Sequence, residues 1–124
     1  MKKNMLIGIH IIVILLIFCS ACSTPELSLH ATVSLSDQEF YITNIDSFTW
    51  YNTEILLNYE QADLSSGYKY KLGWMPPGWL ELIHGLRIKN SDGKSFNPWL
   101  EEPIRLMIRA DTEDGRTGTF VKKW

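Results

Sequence analysis

Polar and apolar residues alternate along much of the chain after residue 30. The clearest stretch is residues 67–72, where Tyr68, Tyr70 and Leu72 share one face and Lys69 and Lys71 share the other. A period of two residues places successive side chains on opposite faces of a β-strand. The stretch therefore predicts a half-buried strand in an antiparallel sheet.

Similar short stretches recur and are separated by residues that favour turns. Strands are predicted at residues 30–35, 39–43, 53–57, 67–72, 79–83, 86–89, 103–110 and 117–123, with turns at 44–47, 76–78, 90–93 and 113–116. Residues 60–64 have short helical character, and no segment has the periodicity of a three-turn amphipathic helix. We therefore expect an all-β fold, an antiparallel immunoglobulin-like sandwich of about seven to eight short strands, with a small β-barrel as the alternative.

The N-terminal residues have the layout of a secretory signal peptide. Lys2 and Lys3 form a short basic region, and residues 5–18 are apolar apart from Gly8 and His10. An apolar region of about 7–15 residues is typical of such signals, whereas a membrane-spanning helix needs about 20. This pattern favours export. An exported protein can be held in the membrane by a lipid, and plain secretion after cleavage and an uncleaved single-span anchor are the alternatives to such lipidation.

The end of this segment, Ser20, Ala21 and Cys22, resembles the lipobox of bacterial lipoproteins. Cys19 departs from the motif, which usually has an aliphatic residue at that place. In that family the cysteine is lipidated and the signal is cut directly before it. The resemblance implies a signal peptide at residues 1–21, and acyl chains such as palmitate on Cys22 that hold the protein in a membrane of the cell envelope. A lipidated cysteine and short tether at residues 22–29 would then precede a β-sandwich domain at 30–124, facing the periplasm or the exterior.

A second resemblance covers roughly residues 40–110. Residues 40–52 read Phe-Tyr-Ile-Thr-Asn-Ile-Asp-Ser-Phe-Thr-Trp-Tyr-Asn, and they are followed by Ile55, Leu57-Asn58, Pro77-Gly78 and the segment 93–98. This pattern is similar to small bacterial β-sandwich domains of unknown function. It implies a sandwich in an exported or membrane-linked protein, and it carries over no activity.

Charge and cysteine content agree with this interpretation. Without Lys2 and Lys3, ten basic and fourteen acidic residues remain, so the net charge of the mature chain is 10 − 14 = −4. Nucleic-acid binding favours a basic face, so no nucleic-acid partner is expected. Both cysteines, Cys19 and Cys22, belong to the leader, and the predicted domain therefore has no disulfide.

The sequence contains no recognisable catalytic or metal-binding motif. His30 and His84 lie far apart, and neither has the spacing of a metal site. Neither a nucleophile elbow nor a glycine-rich phosphate loop occurs. The adjacent Glu101 and Glu102 would point to opposite faces of a strand, and residues 111–115 match a calcium loop poorly. We therefore expect no enzyme activity, no cofactor and no metal.

Tryptophans near turns are the best candidates for a binding surface. Trp74 and Trp79 flank the turn at 76–78, where proline sets φ at the second position and glycine accepts a positive φ at the third, as a type II turn requires. Trp99 lies in another proline-containing segment. Exposed indoles can hold a peptide or stack on a sugar. We expect a membrane-anchored domain that binds a protein or another envelope component, with a carbohydrate-binding module using Trp74, Trp79 and Trp99 as the alternative.

Overall fold

The computed structural model describes residues 27–124, which form eight β-strands and one short 3₁₀ helix. The strands are β1 (Leu27–Ser28), β2 (Ala31–Ser36), β3 (Glu39–Asn44), β4 (Trp50–Leu57), β5 (Tyr68–Met75), β6 (Leu80–His84), β7 (Arg105–Asp111) and β8 (Thr117–Lys123), and the 3₁₀ helix is Gly85–Arg87. The predicted signal peptide at residues 1–21, the predicted lipidation site Cys22 and residues 23–26 of the predicted tether lie outside the described residues. Within the described range, no helix is both long and apolar enough to cross a membrane.

The strands form two sheets, which confirms the predicted all-β sandwich. The larger sheet has the strand order β1-β8-β7-β4-β5, and the smaller sheet has the order β2-β3-β6. All neighbouring strands are antiparallel except β1 and β8, which are parallel. The orders β8-β7-β4 and β2-β3-β6 correspond to the G-F-C and A-B-E strands of an immunoglobulin-like sandwich. The position beside β6, where such folds place strand D, has no strand among residues 27–124.

The core lies between the two sheets and is built from the inward positions predicted by the alternating pattern. The smaller sheet contributes Phe40, Ile42 and Ile83, and the larger sheet contributes residues such as Ile55 and Ile108, all buried. Burial of a large apolar side chain contributes about 1.5–3 kcal/mol, so this shared core holds the sheets together. The buried side chains that complete it are Leu29, Val33, Trp50, Leu57, Met75, Ile88, Phe96, Leu106 and Ala110.

One buried polar side chain connects the two sheets at the end where β3 and β5 finish. The amide nitrogen of Asn44 donates to the carbonyl oxygens of Phe48 and Met75, each at 3.0 Å, and its oxygen accepts from the backbone N–H of Asp46 at 2.9 Å. Asn44 is fully buried, and a buried amide is tolerated only when its donors and acceptors are paired. The bonds therefore set how the β3–β4 connection approaches β5.

The folded domain begins earlier than the sequence analysis predicts. Residues 27–29, assigned to the tether, instead belong to the sandwich: Leu27 pairs with Gly118, Ser28 pairs with Thr119, and Leu29 is buried in the core. Gly118 permits this close approach, because a Cβ there would lie 2.7 Å from Leu29 Cδ2. A short apolar segment can thus add a strand to an open sheet edge even where its sequence reads as a linker.

Two local predictions are wrong. Residues 86–89 were expected to form a strand, but Gly85–Arg87 is a 3₁₀ helix that begins with a cap, in which the Leu86 N–H donates to His84 Nδ1. Residues 60–64 contain turns and no helix. There, Asp63 accepts hydrogen bonds from the backbone and hydroxyl groups of Ser65, and such local side-chain bonds compete with helix formation.

Candidate binding edge

The outer strand of the smaller sheet exposes apolar side chains. Leu82 lies opposite Tyr41, and Leu80 lies opposite Thr43, so both leucines share the outer face of the sheet, whereas Ile83 points into the core. Leu80 and Leu82 are 48% and 44% exposed. We call the open side of β6, with these two leucines, the β6 edge.

The backbone of the β6 edge also offers hydrogen-bonding groups that no other part of residues 27–124 pairs. In an antiparallel ladder, hydrogen-bonded and non-hydrogen-bonded pairs alternate. The bonds from Asn44 N–H to Trp79 O at 3.1 Å and from Gly85 N–H to Gln38 O at 2.9 Å fix that alternation at the two ends of β6. The two outward-facing leucines fall on non-hydrogen-bonded pairs, so their N–H and C=O groups point to the open side.

A type II turn positions an indole at the start of β6, as the sequence predicts. The N–H of Trp79 donates to Pro76 O at 3.1 Å, with Pro77 and Gly78 at the central positions. Gly78 has φ of 77°, the left-handed conformation that this turn requires at its third position. The turn therefore connects the edge strand β5 of the larger sheet to the edge strand β6 of the smaller one.

Two of the three predicted binding tryptophans lie together beside this turn. The rings of Trp74 and Trp79 have centroids 6.3 Å apart and planes tilted by 47°. Their side chains are 60% and 46% exposed, and Trp79 Nε1 donates to Glu81 Oε1 at 3.1 Å. The pair forms a small exposed apolar surface with one carboxylate at its border.

The third tryptophan lies at the other end of the smaller sheet. The Trp99 ring is 5.7 Å from the ring of His84, the last residue of β6, and it is 59% exposed. Gln38 lies in the β2–β3 turn. When its side-chain amide is turned so that the oxygen faces the indole, this oxygen accepts a hydrogen bond from Trp99 Nε1 at 3.2 Å. Because Trp79 precedes β6 and Trp99 contacts its end, the three indoles do not share one surface.

A separate groove of about 590 Å³ lies on the larger sheet, beside an irregularity in β4. It is lined in part by Lys71, Gly73, Glu54 and Arg109. Glu54 forms an ion pair with Arg109 and lies 3.7 Å from Lys69 Nζ, so its charge is compensated within the sheet. Most residues that line the groove are polar or charged, whereas the outward side chains of the β6 edge are apolar.

The two histidines within residues 27–124 have structural partners. His30 Nδ1 lies 2.8 Å from Asp46 Oδ1, and Asp46 Oδ2 accepts from the His30 backbone and from Trp50 Nε1, each at 3.0 Å. This cluster ties the loop after β3 to the start of β2. Across residues 27–124, no three His, Cys, Asp or Glu side chains lie close enough to hold a metal ion.

The ionisable groups with shifted pKa values are dispersed. Burial raises the pKa of Tyr68, and the hydrogen bond to the Glu101 carboxylate raises it further. Burial also raises the pKa of Tyr59, partly opposed by Arg105. Hydrogen bonds from Ser65 lower the pKa of Asp63, and the Thr112 hydroxyl lowers the pKa of Asp114. None of these groups lies on the β6 edge.

Leu80 and Leu82 are not among the candidate binding residues that the sequence predicts. The signal was present, since the two leucines alternate with Glu81 and Ile83. Alternation alone does not say which of two apolar faces meets the core, nor which strand ends a sheet.

In comparisons with known proteins, no family model matches the chain, and no curated protein or solved structure has significant similarity to it.

Proposed function

We propose that the protein is a membrane-anchored, non-catalytic lipoprotein whose sandwich binds an extended segment of an envelope protein along the β6 edge. The observation that carries the proposal is the edge itself, which has two half-exposed leucines and backbone groups that are unpaired within the described part of the chain. Proteins usually protect such edges with charges, proline or a covering segment, because an open strand templates pairing with another chain. Here the outward side chains of β6 are apolar, which is consistent with an edge that pairs with a segment of another protein.

In strand addition, backbone hydrogen bonds provide the affinity and side-chain contacts provide the specificity. The incoming segment pairs with the N–H and C=O groups of Leu80 and Leu82, and its alternate residues contact the leucines on the outer face beside Tyr41. β6 has five residues, so the complementary segment is a similarly short strand with apolar residues at every second position. It would occupy the strand D position, where residues 27–124 place no strand.

The anchor part of the proposal rests on the leader sequence. Lys2 and Lys3, the apolar stretch and the small residues before Cys22 support export and lipidation, and the domain after Cys22 contains no other cysteine. The partner is then another protein of the envelope that the anchored domain can reach. The absence of a nucleophile motif in the sequence and the dispersed titratable groups support a binding role over catalysis.

Site-specific photocrosslinking in native membranes tests the β6 edge. A photoreactive residue at position 82 is compared with one at position 121, since Leu82 and Val121 are 44% and 42% exposed and lie on different sheets. We expect a discrete protein adduct from position 82 and none from position 121. Equal labelling at both positions, or no adduct from position 82, would reject strand addition.

The anchor is tested separately by the intact mass of the membrane-extracted protein. Wild type should carry a lipid adduct, and Cys22→Ser should abolish it.

The carbohydrate alternative has less support, because Trp99 lies apart from Trp74 and Trp79, and the tilt of 47° within the pair offers no flat platform for a sugar ring.

A further inference from the structure

The chain enters the sandwich at the end that carries the tryptophan pair. Leu27 pairs with Gly118 at the start of β8, and β7 and β5 finish at this same end. In the smaller sheet, β3 ends and β6 begins there, because Asn44 bonds to both Trp79 and Met75. We call this the N-terminal end of the sandwich.

Three large apolar side chains are exposed at the N-terminal end. Ile45, directly after β3, is 54% exposed, and it accompanies the exposed indoles of Trp74 and Trp79. Tryptophan favours the headgroup region of bilayers, where its apolar ring is buried while its N–H stays in a polar environment. The Trp79 N–H already has a polar partner in Glu81.

The position of Cys22 in the sequence determines which end can approach a membrane. Five residue steps separate Cys22 from Leu27, and a fully extended chain spans about 3.3–3.6 Å per residue, so the tether reaches at most roughly 18 Å. The opposite end is separated from Leu27 by the length of β8, seven residues or roughly 20 Å or more. A chain lipidated at Cys22 therefore keeps the N-terminal end close to the bilayer.

From this placement we propose that Trp74, Trp79 and Ile45 form a second membrane contact, inserting into the lipid headgroup region beneath the anchored domain. The inference rests on the proposed anchor at Cys22. The contact is apolar and gains nothing from anionic lipid. The β7–β8 hairpin at the same end has two acidic residues, Glu113 and Asp114, and one basic residue, Arg116. Such a contact would orient the sandwich on the membrane.

Quenching of tryptophan emission by brominated lipid tests the contact. The full chain, expressed with its leader and extracted from membranes, is reconstituted into phosphatidylcholine vesicles with and without bromine on the acyl chains. One variant, W74F/W99F/W124F, keeps Trp79 as its exposed reporter, and the matched variant, W74F/W79F/W124F, keeps Trp99 at the opposite end. Both retain Trp50, whose buried ring gives a common background.

We expect several-fold stronger quenching of the Trp79 reporter than of the Trp99 reporter, and a blue shift of Trp79 emission in vesicles. Equal quenching, or none in a protein whose intact mass shows the lipid adduct, would overturn this inference and leave the anchor standing. A protein without the adduct would overturn both. A Trp79 response to peptidoglycan fragments without lipid quenching would assign the pair to glycan binding and would also overturn the membrane contact.

Discussion

At the scale of single residues, Tyr68 connects the core to the loop that precedes β7. Its ring packs edge-on against Phe96 with centroids 5.5 Å apart, and its hydroxyl lies 2.8 and 2.9 Å from the two carboxylate oxygens of Glu101. Tyr68→Phe keeps the ring contact and removes the hydroxyl. We expect a loss of roughly 1–2 kcal/mol in the free energy of unfolding at neutral pH, because the bond is charge-assisted but only partly buried. Urea unfolding measures the loss, and Tyr41→Phe on the outer face of the smaller sheet is the matched control.

The same side chain predicts a dependence on alkaline pH. Burial, and then the bond to Glu101, raise the pKa of folded Tyr68 above the value of about 10 for an unfolded tyrosine. The stabilisation is therefore fully present below pH of about 10 and is lost as the pH rises through the folded pKa. In Tyr68→Phe the decline above pH of about 10 should be shallower, with the contribution of Tyr59 remaining. Parallel pH profiles for both proteins would show that Tyr68 does not contribute.

At the scale of elements, β6 combines a paired side and an open side within one strand. The N–H of Glu81 points toward β3, whereas the N–H of Leu82 points to the open side. Proline lacks this donor and is tolerated where the N–H faces solvent. We expect Glu81→Pro to cost about 1–3 kcal/mol more than Leu82→Pro, since it leaves a carbonyl of β3 unpaired. Urea unfolding of both variants, each corrected by alanine at the same position, gives the difference; equal costs would mean that the β6 edge is not open.

The elements also show which parts of the fold the sequence could predict. The strands with alternating apolar residues and the turn at 76–78 are confirmed, because periodicity and the Pro-Gly pair act locally. The β2–β3 turn was missed because Asp37 and Gln38 adopt positive φ values of 51° and 64° without a glycine to mark them. The wrong strand at 86–89 has a tertiary cause: Gly85 packs against Pro98, where a Cβ would lie 3.0 Å from the proline ring, and the chain turns there.

For the candidate site, the sequence indicated the tryptophan pair and not the edge beside it. Proximity of Trp74 and Trp79 follows from a tight turn between them, which is local information. The exposure of Leu80 and Leu82 depends on β6 being the last strand of its sheet, and strand order is a property of the whole chain. The same dependence separates Trp99 from the pair, since its position relative to His84 is set by long-range packing.

At the scale of the whole molecule, the two sheets share a single core and should unfold together. The ring centroid of Phe40 in the smaller sheet lies 6.0 Å from that of Phe96 and 6.2 Å from that of Trp124. Trp124 directly follows β8 of the larger sheet. Neither sheet buries its inner face without the other, and a domain of this size with one core usually unfolds in one cooperative step.

The tryptophans provide a direct test of this cooperativity. Trp50 is fully buried, whereas the other four tryptophans are 46–60% exposed, so the change of emission on unfolding comes mainly from Trp50 at the start of β4. Far-UV circular dichroism reports strands of both sheets. We expect the two signals to give the same midpoint in urea, because exposing Trp50 requires separation of the sheets. A fluorescence midpoint clearly below the dichroism midpoint would mean that the core around β4 opens while strands persist, so the sandwich would not be one cooperative unit.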